Sequence, residues 1–180
     1  VSAYKTNSVL MDSSMYMQWL MDTFDELGGT RTEQSIQSFD EVEAEIIVNC
    51  AGLGSRELAN DDKLYAVCGQ VVLTDKQSVT DVVADDENPD EIKYAIPRLN
   101  DAVIGGTAQT GNEDLSVSDA DTDSITQNVT DIAPDMKDIQ ANNIKVGLRP
   151  ARDKVRLELD TSIDGKNIVH NYSHGGAGYT

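Results

Sequence analysis

The sequence predicts an α/β fold in which helices combine with both parallel and antiparallel (mixed α+β) strands. Three observations carry that reading. A short β-branched run, Glu45–Cys50, stops at a glycine turn in the manner of a parallel strand. Residues 64–108 break into short alternating runs separated by Asp, Asn, Gly and Pro, the texture of an antiparallel or mixed sheet. Two stretches, 13–27 and 119–132, keep helical spacing instead.

Taken in order, Met17, Leu20, Met21, Phe24 and Leu27 fall on one face of the first helix, with Ser13 or Ser14 as cap and Gly28-Gly29 as its end. Such a methionine-rich stripe is expected in a core. A short polar strand is expected over 30–36 and a brief turn or helix over 39–44. The 45–50 run is expected to be buried on both faces, with ligands gathering at its carboxyl end near Ala51-Gly52-Leu53-Gly54. Strands are expected over 65–74, 79–84, 91–97, 102–107, 143–148, 154–159 and 166–172. Asp119–Ile132 is a helix capped by Ser118 or Asp119. Its Asp119-x-Asp121-x-Asp123 start imitates a calcium loop but lacks the glycine at position six and the glutamate at position twelve. An acidic helix N-terminus explains it better.

Composition narrows the partners. The 180 residues carry 32 Asp+Glu against 14 Lys+Arg, a net charge of −18. That excess argues against nucleic acid and against an anionic membrane surface, both of which need a basic face. No run reaches the roughly 18 apolar residues of a membrane span, and no signal peptide is recognisable. Two cysteines are no disulfide framework, so a reduced, cytoplasmic setting is the expectation. The acids are dispersed and Asp-rich, 22 Asp to 10 Glu. Apolar runs are interspersed, which excludes a disordered acidic tail and fits a halophilic surface screened by salt, with an ordinary acidic cytosolic protein as the alternative. Length alone suits one domain.

Few motifs carry chemistry. His170 and His174 are four apart on a strand and its turn without a nearby third ligand, so no metal site is expected. Neither cysteine has metal or redox spacing, and no nucleophile elbow or Walker loop is present. Two segments are more specific. In Arg149-Pro150-Ala151-Arg152, proline constrains an arginine whose planar fork can grip a carboxylate, whereas Arg152 reads as a structural salt bridge. In Val169-His170-Asn171-Tyr172-Ser173-His174-Gly175-Gly176-Ala177-Gly178-Tyr179-Thr180, a strand enters a glycine-rich turn whose backbone N–H groups can approach an anionic or polar edge.

With these two, the segments Met17–Leu20, Val48–Gly52, Gly69-Gln70-Val71, Tyr94-Ala95-Ile96-Pro97 and Gly105-Gly106-Thr107 resemble, in order and spacing, the FAD-dependent D-amino-acid oxidase family, which includes D-aspartate oxidase. The resemblance runs from near residue 10 to residue 180. It implies a partial FAD-binding dinucleotide domain, residues 1–58 and 153–180, with an inserted mixed-sheet substrate domain, 59–152. It implies that Arg149 and the Tyr94 hydroxyl bind the substrate carboxylate and that a carbonyl, that of Gly176, accepts from the substrate amine. FAD contacts are implied for Ile36, Ala51, Gly175, Gly176, Gly178, Tyr179 and Thr180.

The implied reaction is oxidative deamination of a D-amino acid by hydride transfer from the α-carbon to flavin N5, with molecular oxygen as the final acceptor. Since the protein need only clamp and aim the substrate, no acid–base side chain is expected. A homodimer is compatible with the resemblance. Three departures qualify it. The chain has no N-terminal Gly-x-Gly-x-x-Gly turn, and it stops at Thr180 where the family continues into a helix. It therefore reads as part of an oxidase, and this chain by itself is expected to bind FAD poorly and to be inactive. A non-catalytic truncated remnant is the rival reading, which the DNA upstream would decide. Third, Ala108 stands where the family places an aromatic residue, or arginine in aspartate-specific enzymes, which points to neutral D-amino acids, with a D-aspartate or glycine oxidase of the same superfamily as the alternative. Cys68 replaces the arginine of a family Arg-Gly-Gln, with no physical account.

Overall fold

A computed structural model describes residues 3–75, 79–85, 87–88 and 91–177. The chain divides into two compact units, 1–34 and 35–180. The first contains helix α1 (Ser13–Glu26), which begins where the Asp12 carboxylate accepts from the Ser14 N–H and ends at Leu27 before Gly28, whose φ of 84° suits glycine. Tyr16 stacks on Trp19, Gln18 donates to Asp22, and Arg31 folds back on Asp25. No residue of α1 is buried. The expected core stripe is therefore corrected: Met17, Leu20, Met21, Phe24 and Leu27 are all exposed. One helix offers no second apolar layer within its own unit, and a stripe is buried only by something that faces it. The strand expected over 30–36 is absent, since that polar stretch gains no pairing partner.

The second unit holds two sheets. A three-stranded sheet joins β1 (Ile46–Asn49), β9 (Asn167–Tyr172) and β8 (Arg156–Asp160), with β1 parallel to β9 and β8 antiparallel to it. Parallel pairing of the 45–50 run is thus as expected, but burial on both faces is not. Asn49 is buried, whereas Ile46, Val48, Leu157 and Leu159 are exposed on the opposite face. Before β1, Ser38 caps a 3-10 turn at Phe39–Glu41. After it, the glycine turn runs into the single-turn helix α2 (Ser55–Leu58).

The larger sheet is built around the 11-residue strand β2 (Tyr65–Asp75). Along one edge β2 pairs antiparallel with β7 (Asn143–Ala151); along the other it pairs with β5 (Asp101–Gly105) and with the two-residue β6 (Gln109–Thr110). Beyond β5 lie β4 (Lys93–Pro97) and β3 (Val83–Asp85). Strand β7 is longer than the expected 143–148, so Arg149 and Pro150 belong to a strand. Proline is tolerated there because β7 pairs on one side only.

One face of this sheet packs on α3 (Asp119–Ile132), where Val72, Ala95, Ala102 and Ile104 meet Ile125, Val129 and Met136. Helix α3 matches its predicted bounds, and Ser118 Oγ accepts from the Asp121 N–H as the cap. The aspartates that imitate a calcium loop therefore lie in the first turn of a helix. Gln70, buried in β2, fastens that helix start. Its amide donates to the Ser118 carbonyl and the Thr122 hydroxyl (both 2.8 Å), and its carbonyl accepts from the Ser118 N–H at 2.9 Å. Among the described residues no helix is long and apolar enough to cross a membrane.

Candidate functional site

Alternation along β2 sends Val72 and Gln70 toward α3 and leaves Gly69 and Val71 on the opposite face. Gly105 of β5 pairs with Val71, and Tyr94 of β4 pairs with Gly105, so that face carries two glycines where side chains would otherwise stand. Both gaps are filled from neighbouring strands. The Arg149 guanidinium lies over Gly69 and the Tyr94 ring lies over Gly105, so a Cβ at either glycine would overlap them. Glycine inside a strand marks such close approaches, a signal that the sequence itself carries.

Arg149 Nη1 donates to the Thr107 carbonyl at 3.1 Å. A Cβ on Gly106 would stand 3.3 Å from the Tyr94 hydroxyl, and one on Gly176 would stand 3.9 Å from Arg149 Cδ. Tyr94, Arg149 and Gly176, the three residues expected to bind substrate, are therefore gathered around one patch, with Thr107 between the first two.

The charges at this patch are unusual for so acidic a chain. Of six arginines, Arg31, Arg56, Arg98, Arg152 and Arg156 each pair with a carboxylate. Among the described residues Arg149 alone has no acidic partner and spends one donor on a backbone carbonyl. It is half-buried, and its remaining donors form a planar fork suited to an incoming carboxylate. Burial raises the Tyr94 hydroxyl above its ordinary value, while the charge of Arg149 draws it partly back. The phenol thus keeps its proton at neutral pH and remains a donor.

Of the residues expected to touch FAD, Gly175 and Gly176 lie beside this patch, and the turn that carries Ala51 approaches Pro150 through Gly52. The Gly175 N–H donates to the Pro150 carbonyl at 2.8 Å, closing the glycine turn onto β7 immediately after Arg149. Gly52, from the turn after β1, faces Pro150 as well, its missing Cβ 3.9 Å from Pro150 Cγ. Gly52 and Gly175 have φ of +56° and +60°, a backbone that glycine adopts without strain. Ala51 is exposed at the end of β1, with its N–H donating to Asn49 Oδ1 at 3.1 Å. Gly176 is exposed. Ile36 is half-buried in the irregular stretch before the Phe39 turn. Gly178, Tyr179 and Thr180 lie outside the described residues.

Two polar clusters went unread in the sequence. Asn49 is buried at the end of β1, and its Oδ1 also accepts from the Ser55 hydroxyl at 3.1 Å. That leaves its amide nitrogen as the donor toward His170 Nδ1, 3.2 Å away on β9. The His170 proton is thereby assigned to Nε2, which faces Asp160 Oδ2 at 3.5 Å. His170 is thus a strut between strands, and His174 sits with its Nε2 2.9 Å from Asn171 Oδ1. The described residues form no group of three metal-ligating side chains.

The second cluster surrounds Asp61, which is 5% exposed. Its carboxylate accepts from the Tyr172 hydroxyl at 2.8 Å and the Lys63 N–H at 3.1 Å, and Arg152 Nε stands 3.1 Å from Oδ2. Arg156 Nη1 lies 3.5 Å from the same oxygen and donates to the Tyr172 hydroxyl at 2.6 Å. Arg152 is therefore the structural ion pair expected of it. Burial alone would raise the Asp61 carboxyl, but the hydrogen bonds from Tyr172, Lys63 and Arg152 outweigh it and hold it below its ordinary value.

A family model described as DAO, FAD dependent oxidoreductase, matches residues 2–180. The chain belongs to this family. It is 42% identical over 176 residues to a D-amino-acid oxidase of Dictyostelium discoideum, covering 95% of this chain and 50% of that protein. A D-amino-acid oxidase of Rubrobacter xylanophilus is 33% identical over 179 residues, covering 98% and 55%. Among solved structures, glycine oxidase from Geobacillus kaustophilus superposes with a TM-score of 0.65 at 20% identity, over 75% of this chain and 37% of that one. That likeness supports the α/β, mixed-sheet fold class. The chain spans about half the length of the curated relatives it matches.

Proposed function

We propose that this chain is the substrate-facing part of an enzyme that oxidatively deaminates neutral D-amino acids. A D-amino acid, oxygen and water would give a keto acid, ammonia and hydrogen peroxide, the imino acid being the species hydrolysed. The observation that carries the proposal is Arg149, a half-buried arginine with no acidic partner among the described residues. An unpaired cation held over a glycine beside a protonated phenol is a receptor for one carboxylate.

In this reading Arg149 and the Tyr94 hydroxyl hold the substrate carboxylate and the Gly176 carbonyl accepts from its amine. These contacts fix two of the four substituents of the α-carbon, the carboxylate and the amine; where the side chain is accommodated would then decide which way the single α-hydrogen faces. The turns at Ala51 and at Gly175-Gly176, with Gly178, Tyr179, Thr180 and Ile36, would hold FAD. Their fit rests on Gly52 and Gly175 converging on Pro150 and on the exposed backbone of Ala51 and Gly176. When bound, FAD supplies the hydride acceptor. The domain division proposed is 1–58 with 153–180 for the cofactor and 59–152 for the substrate. Its support is that β1, β8 and β9 share one sheet while β2 to β7 share the other. Ala108, which offers no second cation, supports neutral substrates over D-aspartate. A cytoplasmic, salt-rich setting and a homodimer complete the proposal.

The test is peroxide release by the native flavoprotein with D-alanine, L-alanine, D-aspartate and glycine. Turnover of D-alanine well above the other three is expected. Equal rates on both alanine enantiomers would overturn the reading, and a preference for D-aspartate or glycine would overturn the neutral-substrate assignment.

A further inference from the structure

We infer that Asp61 is a positioning residue that sets the distance between Arg149 and Gly176; the inference rests on the substrate-binding roles proposed above. Strand β7 ends at Ala151, and the next residue, Arg152, is held by the Asp61 carboxylate. Strand β9 ends at Tyr172, whose hydroxyl donates to the same carboxylate. One buried group thus fastens the ends of the two strands that belong to different sheets. Arg149 lies three residues before one fastening and Gly176 four residues after the other. Between the fastenings the Gly175–Pro150 backbone hydrogen bond links the turn to β7.

The carboxylate itself is fixed from a third side by the Lys63 N–H, while the Asp61 backbone carbonyl accepts from the Leu64 N–H in the turn that precedes β2. Arg156 donates to the Tyr172 hydroxyl, so that hydroxyl has its proton directed at Asp61. No atom of this cluster need touch substrate. Its effect passes through strand ends to the spacing of the two groups that hold the substrate's carboxylate and amine.

The experiment compares Tyr172→Phe, Asp61→Asn and Arg149→Lys in the native flavoprotein, with D-alanine as the probe. Tyr172→Phe removes one oxygen and is the milder variant. Expected for both Tyr172→Phe and Asp61→Asn is a rise of about tenfold in KM with kcat within about twofold, because the carboxylate clamp is displaced while the oxidation step is kept. Loss of thermal stability alone, with wild-type KM in Tyr172→Phe, would overturn the inference even if Asp61→Asn fails to fold. Arg149→Lys separates the two levels. A raised KM there with none in Tyr172→Phe defeats only the positioning role; an unchanged KM in Arg149→Lys defeats the proposed function and this inference with it.

Discussion

Arg149 and Arg152 stand three residues apart on one run, yet they end in opposite surroundings. Around Arg152 the cationic charge is closed: Asp61 is buried, paired with Arg152 and hydrogen-bonded by Tyr172 and Lys63. Around Arg149 it is open: two glycines make room, a carbonyl takes one donor, and no described acid answers the rest. A chain with 32 acids could neutralise either arginine. That one is left unpaired shows that charge in this molecule is distributed by local geometry, and that surplus acidity does not determine the chemistry of a pocket.

The comparison can be broken most forcefully on its closed side. Asp61→Ala leaves Arg152, Arg156 and the Tyr172 hydroxyl without their shared acceptor. Removing one partner of a buried pair costs roughly 3–5 kcal/mol, to be read from urea unfolding. A loss under about 1 kcal/mol would make the cluster no different from a surface pair. On the open side, Arg149→Ala is expected to leave stability within about 1 kcal/mol, because it strands no buried carboxylate. It should lower kcat/KM for D-alanine by about a hundredfold or more, the scale of losing a hydrogen-bonded charge partner for the substrate.

Gly69→Ala sharpens the contrast without touching a charge. The new methyl group would occupy the place of the Arg149 guanidinium, the far end of a flexible side chain, which can swing aside. A rise of about tenfold in KM with little change in unfolding midpoint is expected; the same substitution at the exposed, uncrowded Gly147 is the control. The smallest effect is pH dependence. Asp61 is held below its ordinary value of 3.8, so its contribution is complete above that value and fades as acid protonates the folded carboxyl. Unfolding titrated downward from pH 5 should show a steeper loss for the wild type than for Asp61→Asn; identical slopes would remove Asp61 from the linkage.

Two helices of 14 residues make the same point about legibility. The stripe on α1 is the more apolar, yet none of its residues is buried; α3 is polar along most of its length, yet Ile125 and Val129 are buried against the sheet. Periodicity reports which face is apolar and stays silent on what stands opposite. Strand β1 repeats the lesson: its β-branched run suits burial on both faces, yet Ile46 and Val48 are exposed. Gly69 and Gly105 could have been read as places where another side chain comes close, because a strand has little other use for glycine. Asp61 could not, because an acid in an Asn-Asp-Asp turn looks like any solvated turn.

By itself the sequence determined the elements and the family: the capped bounds of α3, the parallel run before the glycine turn, and the Arg-Pro-Ala-Arg and His-Asn-Tyr segments are local patterns of spacing, capping and motif. Only the tertiary structure decided which arginine is spent and which is open, and that Tyr94, Arg149 and Gly176, scattered over 83 positions of the chain, share one patch. The physical reason is that capping and periodicity act over a few residues. Charge neutralisation and close approach depend instead on strands brought together from far apart, by a register that no single segment contains.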